Sequence, residues 1–404
     1  MYMLTKNLDL NRNNRLTLGF LRVFLAFLVL DFHFGYYYVF IKPYFMENFG
    51  QENFYYIGDG RFAVFGFFLV SGFLITSILD NKYLAAEGMD FLPFFVSRFI
   101  RILPLYWLVL TIFIVFSNHI KIQNLKEFFG NYALFPAGIW GFFLNVRKSG
   151  PLLDHLFIGS AWSLSLDLVF YLMSPFLVWM FYRKPTHFWA IFTLVGIYFL
   201  IFLFPYSFNG SIRSTTGNFD RIYTTGEFCL FTFMIGMIAY FYRRSIVSNS
   251  FGALISLFIL IYILYFPFYI KNSFVSLSLG FLSLSIIINY LYKNGNSHFD
   301  QFLSNFTFSI YLIHRPIIRS VKWEFGLKTL IQDLKISFIV LFSCIFIAII
   351  LSIFFENSIE EHRKKFVKFF PTFKIPHIYL NYSSYIILFS LVILSFYSAI
   401  INGT

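Results

Sequence analysis

Arg22 and His33 lie inside one apolar stretch, LTLGFLRVFLAFLVLDFHFGYYYVF, that is long enough to cross a bilayer. Ionisable side chains in a spanning helix are costly to keep in lipid, and their default reading is functional. At ~100° per residue, the spacing from Arg22 to His33 returns to within about 20° of the same helix face. The ~1.5 Å rise per residue sets the two side chains roughly 16 Å apart along the axis. A cation near one membrane surface and a titratable base about half a bilayer deeper suit a reaction whose two substrates arrive from opposite sides.

Further polar islands interrupt later apolar runs. SRFIRILPLYW places Arg98 and Arg101 one helical turn apart, before Pro104. Two guanidiniums at that spacing form a fork for phosphate or carboxylate. AWSLSLDLVFY carries Trp162, Ser163, Ser165 and Asp167, and FTFSIYLIHRPII carries Ser309, Tyr311, His314 and Arg315. FFLVSGFLI adds Ser71 and Gly72, which also fit plain helix packing. Depth gives a possible pairing. Counted from the inner face His33 is about 24 Å up, and Asp167 is about 10 Å down from the outer face. In a core of about 30 Å these depths nearly coincide, so Asp167 is expected to orient His33 as base and carboxylate partner. Arg22, Arg98 and Arg101 gather at the inner side, where they suit an anionic ligand.

The elements that must position these residues are membrane helices. The chain has 404 residues, of which 58% are hydrophobic and 12% charged, and its mean hydropathy is +0.71. These values exclude a soluble globular domain. Spanning-length runs fall at about 17–40, 62–79, 102–117, 160–181, 188–207, 226–242, 251–270, 274–293, 303–320, 336–355 and 384–401. The expected fold is therefore an all-α polytopic bundle of about eleven spans, with 130–145 as an interfacial or re-entrant element. The net charge of +12 does not indicate nucleic acid, because the basic residues sit mostly at helix ends and short loops. With the N-terminus inside, sixteen Lys or Arg fall on the inner side and thirteen outside. The basic run at 362–370 reads as an amphipathic segment on the anionic inner leaflet, with no catalytic role. Cys229 and Cys344 both lie in apolar spans, so no disulfide framework is expected. The scattered histidines show no metal-ligand spacing.

Taken in order, the islands resemble the membrane-bound acyltransferase-3 family. The residues carrying the resemblance are Arg22 and His33, the SGF of Ser71 to Phe73, Arg98 and Arg101 before Pro104, the WSLS of Trp162 to Ser165, and the YLIHRP of Tyr311 to Pro316. The resemblance covers about residues 15–320. The family usually has Glu where this chain has Asp167, a carboxylate one methylene shorter.

The resemblance implies a ten-helix acyltransferase domain over 1–355. A basic interfacial segment at 356–383 and one additional span at 384–404 would follow it. It implies transfer of an acyl group, most often acetyl, from cytoplasmic acetyl-CoA as co-substrate to a hydroxyl of an extracytoplasmic glycan. O-antigen, capsule and exopolysaccharide are such glycans. His33 and Asp167 are then the catalytic candidates. Arg22, Arg98, Arg101, Ser71 and Gly72 are candidates for the donor. Trp162, Ser163, Ser165, Tyr311 and His314 are candidates for the acceptor. The expected partners are acyl-CoA, a glycan or lipid-linked glycan, and membrane lipids, with no metal. The expected location is a bacterial inner membrane with a cytoplasmic N-terminus. With about fifty residues after the tenth span, the hydrolase domain fused to some members is not expected. A surface-polysaccharide polymerase and a lipid-linked sugar flippase remain alternatives. The polymerase draws modest support from His119, Arg147 and His155 in the loop at 118–159.

Overall fold

The computed structural model describes residues 18–35, 60–85, 88–117, 125–134, 156–208, 226–246, 249–265, 273–294, 298–327, 330–370, 374–376, 379–383 and 385–386. Most of the expected final span, and most of the 130–145 element, lie outside these residues. So do His119, Arg147 and His155.

Twelve helices carry the fold among the described residues. They are α1 (Gly19–Phe34), α2 (Gly60–Ile78), α3 (Phe91–Phe116), α4 (Leu125–Ala133), α5 (Ala161–Arg183) and α6 (Pro185–Phe208). Then follow α7 (Gly226–Phe241), α8 (Ser250–Tyr265), α9 (Ser273–Asn294), α10 (His298–Glu324), α11 (Leu334–Ile350) and α12 (Asn357–Val367). Each expected span from the first through the tenth overlaps one of the helices. By length and composition four helical stretches are sufficient to cross a membrane: Phe62–Tyr83, Phe91–Phe116, Ala161–Arg183 and Leu334–Val367. The all-α expectation holds for the bundle, while the expected count of eleven spans is not established by it.

Two features depart from the expectation. The third helix begins at Phe91 rather than near 102, so Arg98 and Arg101 are inside a helix and not in the loop before one. No helix-breaking residue separates Phe94 from Pro104, and a proline tolerated mid-helix is common in membrane bundles. A small antiparallel sheet also flanks the bundle, made of β1 (Leu84–Ala85), β2 (Gly88–Asp90) and β3 (Lys374–Pro376) in that order. Its register pairs Leu84 with Met89 and Asp90 with Lys374, which ties the chain after α12 to the approach to α3.

Small residues set the closest helix contacts. A Cβ on Gly72 would come 2.0 Å from the Phe233 carbonyl oxygen, and one on Gly236 would come 1.9 Å from that of Leu69. The α2–α7 crossing therefore depends on glycine, the means by which membrane helices bring backbones together without a hydrophobic driving force. At the start of α1, the backbone N–H of Phe20 donates to Asp300 Oδ1 at 3.2 Å. That bond and Gly19, closely packed on the Asp300 carbonyl, align α1 with α10. The outward face of α11 is apolar, with Phe342 66% and Phe346 65% exposed. An exposed aromatic stripe on a helix with satisfied backbone is what lipid accepts.

Candidate functional site

A cavity of about 1120 Å³ opens between α1, α2, α3, α5, α10 and α12. This is just above the ~300–1,000 Å³ range of small-molecule sites. Seven Lys or Arg side chains line it against two carboxylates, Asp167 and Glu360. Among the residues singled out from sequence, Arg22, Ser71, Arg98, Arg101, Ser163, Asp167 and Tyr311 all face this one space. They come from five different helices, so only the packed bundle assembles them.

The guanidinium end is built on α3 and closed by α10 and α12. Arg101 donates to Asn305 Oδ1 at 3.0 Å and pairs with Glu356 Oε2 at 3.3 Å. Glu360 lies farther off, at 4.0 Å from the Arg101 guanidinium. Asn305 in turn donates to Asn357 at 3.2 Å. Arg98 donates to Ser97 Oγ at 3.1 Å, while its Nε is buried without a hydrogen-bond partner. Arg363 grips Glu360 with two N–H groups at 2.9 and 2.7 Å and donates to Ser97 at 2.7 Å. Arg22 donates to Ser304 Oγ on α10.

Further along the cavity the wall becomes acidic and hydroxylic. The Ser71 hydroxyl lies 3.5 Å from the Tyr171 hydroxyl and faces the Asp167 carboxylate, which is within the field of Arg22. Asp167 Oδ1 is buried and has no hydrogen-bond partner. Tyr311 shares a hydrogen bond with Ser163, and its hydroxyl donates to the Ser160 carbonyl at 3.3 Å. Its ring meets Phe67 at 5.8 Å on one side and His314 at 5.8 Å on the other.

Neither His33 nor His314 is part of the cavity lining, and His314 lies beside the Tyr311 ring. His33 and His314 stack at 5.2 Å between ring centroids, with 26° between the planes. His314 is fully buried. Its Nδ1 is 3.2 Å from the Ile310 carbonyl oxygen and is placed to donate to it. Nε2 has no hydrogen-bond partner. Native interiors leave few polar atoms unpaired. Three of those here belong to Arg98, Asp167 and His314.

The expected His33–Asp167 pairing is replaced by the His33–His314 stack. His33 is in the last turn of α1, which Gly35 closes in a left-handed cap at φ 77°. Asp167 is six residues into α5, about 9 Å from that helix's start. The neighbours of the carboxylate are instead Ser71, Arg22 and Tyr171. Three other candidates also point elsewhere. Gly72 packs on Phe233, Trp162 packs on Leu156, and the buried Ser165 donates back to the Trp162 carbonyl at 2.6 Å.

Sequence reasoning left out Tyr171, Ser304, Asn305, Glu356, Glu360 and Arg363. A signal existed for the last three: 356, 360 and 363 follow helical spacing next to an apolar span. The basic run was expected to lie only on the leaflet, yet Arg363, Lys364 and Lys368 line the cavity. Among the described residues no cluster of three or more His, Cys, Asp or Glu side chains is arranged to hold a metal ion.

The arrangement can take an anion among the guanidiniums. From there it can lead an extended ligand past Ser71, Asp167 and Ser163 towards Tyr311 and the histidine pair. The sequence model of the acyltransferase domain of the acyltransferase-3 family matches residues 15–356. An O-acetyltransferase, OatA of Staphylococcus aureus strain NCTC 8325, is 27% identical over 308 residues, covering 66% of this chain and 47% of that protein. The peptidoglycan O-acetyltransferase OatA of Listeria monocytogenes serovar 1/2a is 26% identical over 126 residues, 30% of this chain and 20% of that protein. The chain spans about half the length of the Staphylococcus relative it matches. No solved structure matches it.

Proposed function

The chain belongs to the acyltransferase-3 family, and on that premise we propose that it is a membrane O-acetyltransferase. It takes acetyl from cytoplasmic acetyl-CoA and esterifies a hydroxyl of a glycan beyond an inner membrane. The Listeria relative, named as a peptidoglycan O-acetyltransferase, supports that class of acceptor and adds peptidoglycan to O-antigen, capsule and exopolysaccharide. Family membership favours this reading over a polymerase or a flippase. The observation that carries it is the single cavity joining paired guanidiniums at one end to Ser163, Asp167 and Tyr311 at the other, with two stacked histidines beyond.

The chemistry follows from the order of those groups. Arg98 and Arg101 bind donor phosphates, for which planar forked guanidiniums are suited. Arg22 and Asp167 form the polar wall beside the thioester arm. His33 accepts the proton of the acceptor hydroxyl while that oxygen attacks the thioester carbon. The C–S bond breaks as the C–O bond forms, and the proton passes from His33 to the departing thiolate. His314 stacks on His33 and holds its ring in place. Tyr311 stands between donor cavity and histidines, so its side chain rotates for the two substrates to meet.

The test is transfer across a bilayer. Protein is reconstituted in vesicles that enclose short peptidoglycan chains, and acetyl-labelled acetyl-CoA is added outside. Labelled glycan ester inside, lost in His33→Ala, is the expected result. A folded protein that leaves both acetyl-CoA and glycan unchanged overturns the proposal.

A further inference from the structure

Helix α12 turns one face into the cavity. Asn357, Glu360, Arg363, Lys364 and Val367 line it at the three- and four-residue steps of one helical stripe, and Lys368, which caps the end of the helix with helical backbone angles, continues the stripe. Phe366 and Phe369, 50% and 83% exposed, fall off that stripe. An amphipathic helix lying on a membrane usually turns its cations outward to headgroups. Here three cations share a stripe with the cavity.

These cations are not equivalent. Arg363 is already held by Glu360 and Ser97, and Arg101 by Glu356 and Asn305. Lys364 and Lys368 have no carboxylate partner among the described residues and are exposed at the mouth. Two ammonium groups one turn apart on a flexible stem suit a dianionic monoester, which offers three acceptor oxygens. The deeper, planar guanidiniums of Arg98 and Arg101 suit the bridging diester instead.

We infer that α12 is the specificity element for the donor: Lys364 and Lys368 recognise a terminal phosphate monoester on its nucleotide end. The inference rests on the proposed acetyl-CoA reaction. It adds to that reaction a site at the cavity mouth that selects the phosphorylated donor, while the guanidiniums deeper in the cavity bind any donor of this class. Lipid phosphate offers the same chemistry, and the experiment separates the two sources.

The full chain is reconstituted in phosphatidylcholine vesicles, and KM and kcat are measured with acetyl-CoA and with acetyl-dephospho-CoA, which lacks the terminal monoester. Wild type is expected to favour acetyl-CoA in KM by roughly five- to tenfold, the sum of two partly exposed charge contacts. The pair Lys364→Gln with Lys368→Gln should raise the acetyl-CoA KM to the dephospho value, with the effect on KM rather than kcat. Lys364→Arg with Lys368→Arg should keep the preference. Equal KM changes for both donors, or none for acetyl-CoA, overturn the inference and leave the acetyltransferase reading standing. A change that appears only when phosphatidic acid, whose headgroup is a phosphate monoester, is added to the vesicles assigns the lysines to lipid and also overturns it. A wild type that turns over neither donor removes both.

Discussion

Arg101 is asked to hold both the fold and the donor, and these two roles can be separated. Its guanidinium is 3.3 Å from Glu356, whose side chain is 0% exposed while that of Arg101 is 21% exposed. Removing one partner of such a pair strands the other charge, at a cost of about 3–5 kcal/mol. Partial exposure of Arg101 places the expected loss for Arg101→Met near the lower end, about 3 kcal/mol. Replacing both, Arg101→Met with Glu356→Met, removes the stranded carboxylate and should recover stability to within about 1 kcal/mol of wild type. Donor affinity should behave differently. The single and double variants should both bind acetyl-CoA about ten- to a hundredfold more weakly, the value of one or two charge-assisted hydrogen bonds. Denaturant unfolding in mixed micelles reads the stability, and calorimetry reads the affinity. If the double variant is as unstable as the single one, the pair is not the reason for the loss. If the double variant binds donor as tightly as wild type, Arg101 is not a donor ligand.

Gly72→Ala and Gly236→Ala should each cost about 1–3 kcal/mol, because a methyl group has no room at either contact; thermal unfolding of the purified variants checks this. Tyr311→Phe removes the hydroxyl shared with Ser163 and Ser160 at a cost of about 1 kcal/mol. It should also raise acetyl-CoA hydrolysis without an acceptor, measured as free thiol released, and an unchanged hydrolysis rate counts against Tyr311 as the barrier. His314→Ala should leave acetyl-CoA affinity within about twofold and lower transfer by roughly 10²-fold through misplacement of the His33 ring; calorimetry with an acetyl-transfer assay decides, and full activity would remove His314 from the mechanism.

Much of the site could be read from charge in the wrong place. Arg22, Arg98, Arg101 and Asp167 stand out because lipid tolerates them only when the bundle takes them in, and all four face the same cavity. The partner of His33 could not be read that way. Helical periodicity gives faces and approximate depths, but the stack on His314 depends on where Gly35 ends α1 and how α10 lies against it. Gly72 carried two readings, and its contact with Phe233 selects packing. The cations of α12 were misplaced for a similar reason. A basic amphipathic stripe has the same pattern whether it faces headgroups or a cavity, and only the tertiary contacts of α12 with α3 distinguish the two. The start of α3 at Phe91 was hidden because apolar counting begins after the arginines, although the helix does not.

In the proposed reaction the cavity binds acetyl-CoA at its guanidiniums, and the thioester is spent at the histidine pair beyond Tyr311. That reaction is tested most directly by acetyl-CoA binding and thioester turnover in wild type, Arg98→Ala and His33→Ala. Wild type should bind and turn over, Arg98→Ala should lose affinity, and His33→Ala should bind as wild type but not turn over. A folded wild type without affinity for acetyl-CoA, or a His33→Ala variant with full turnover, contradicts it.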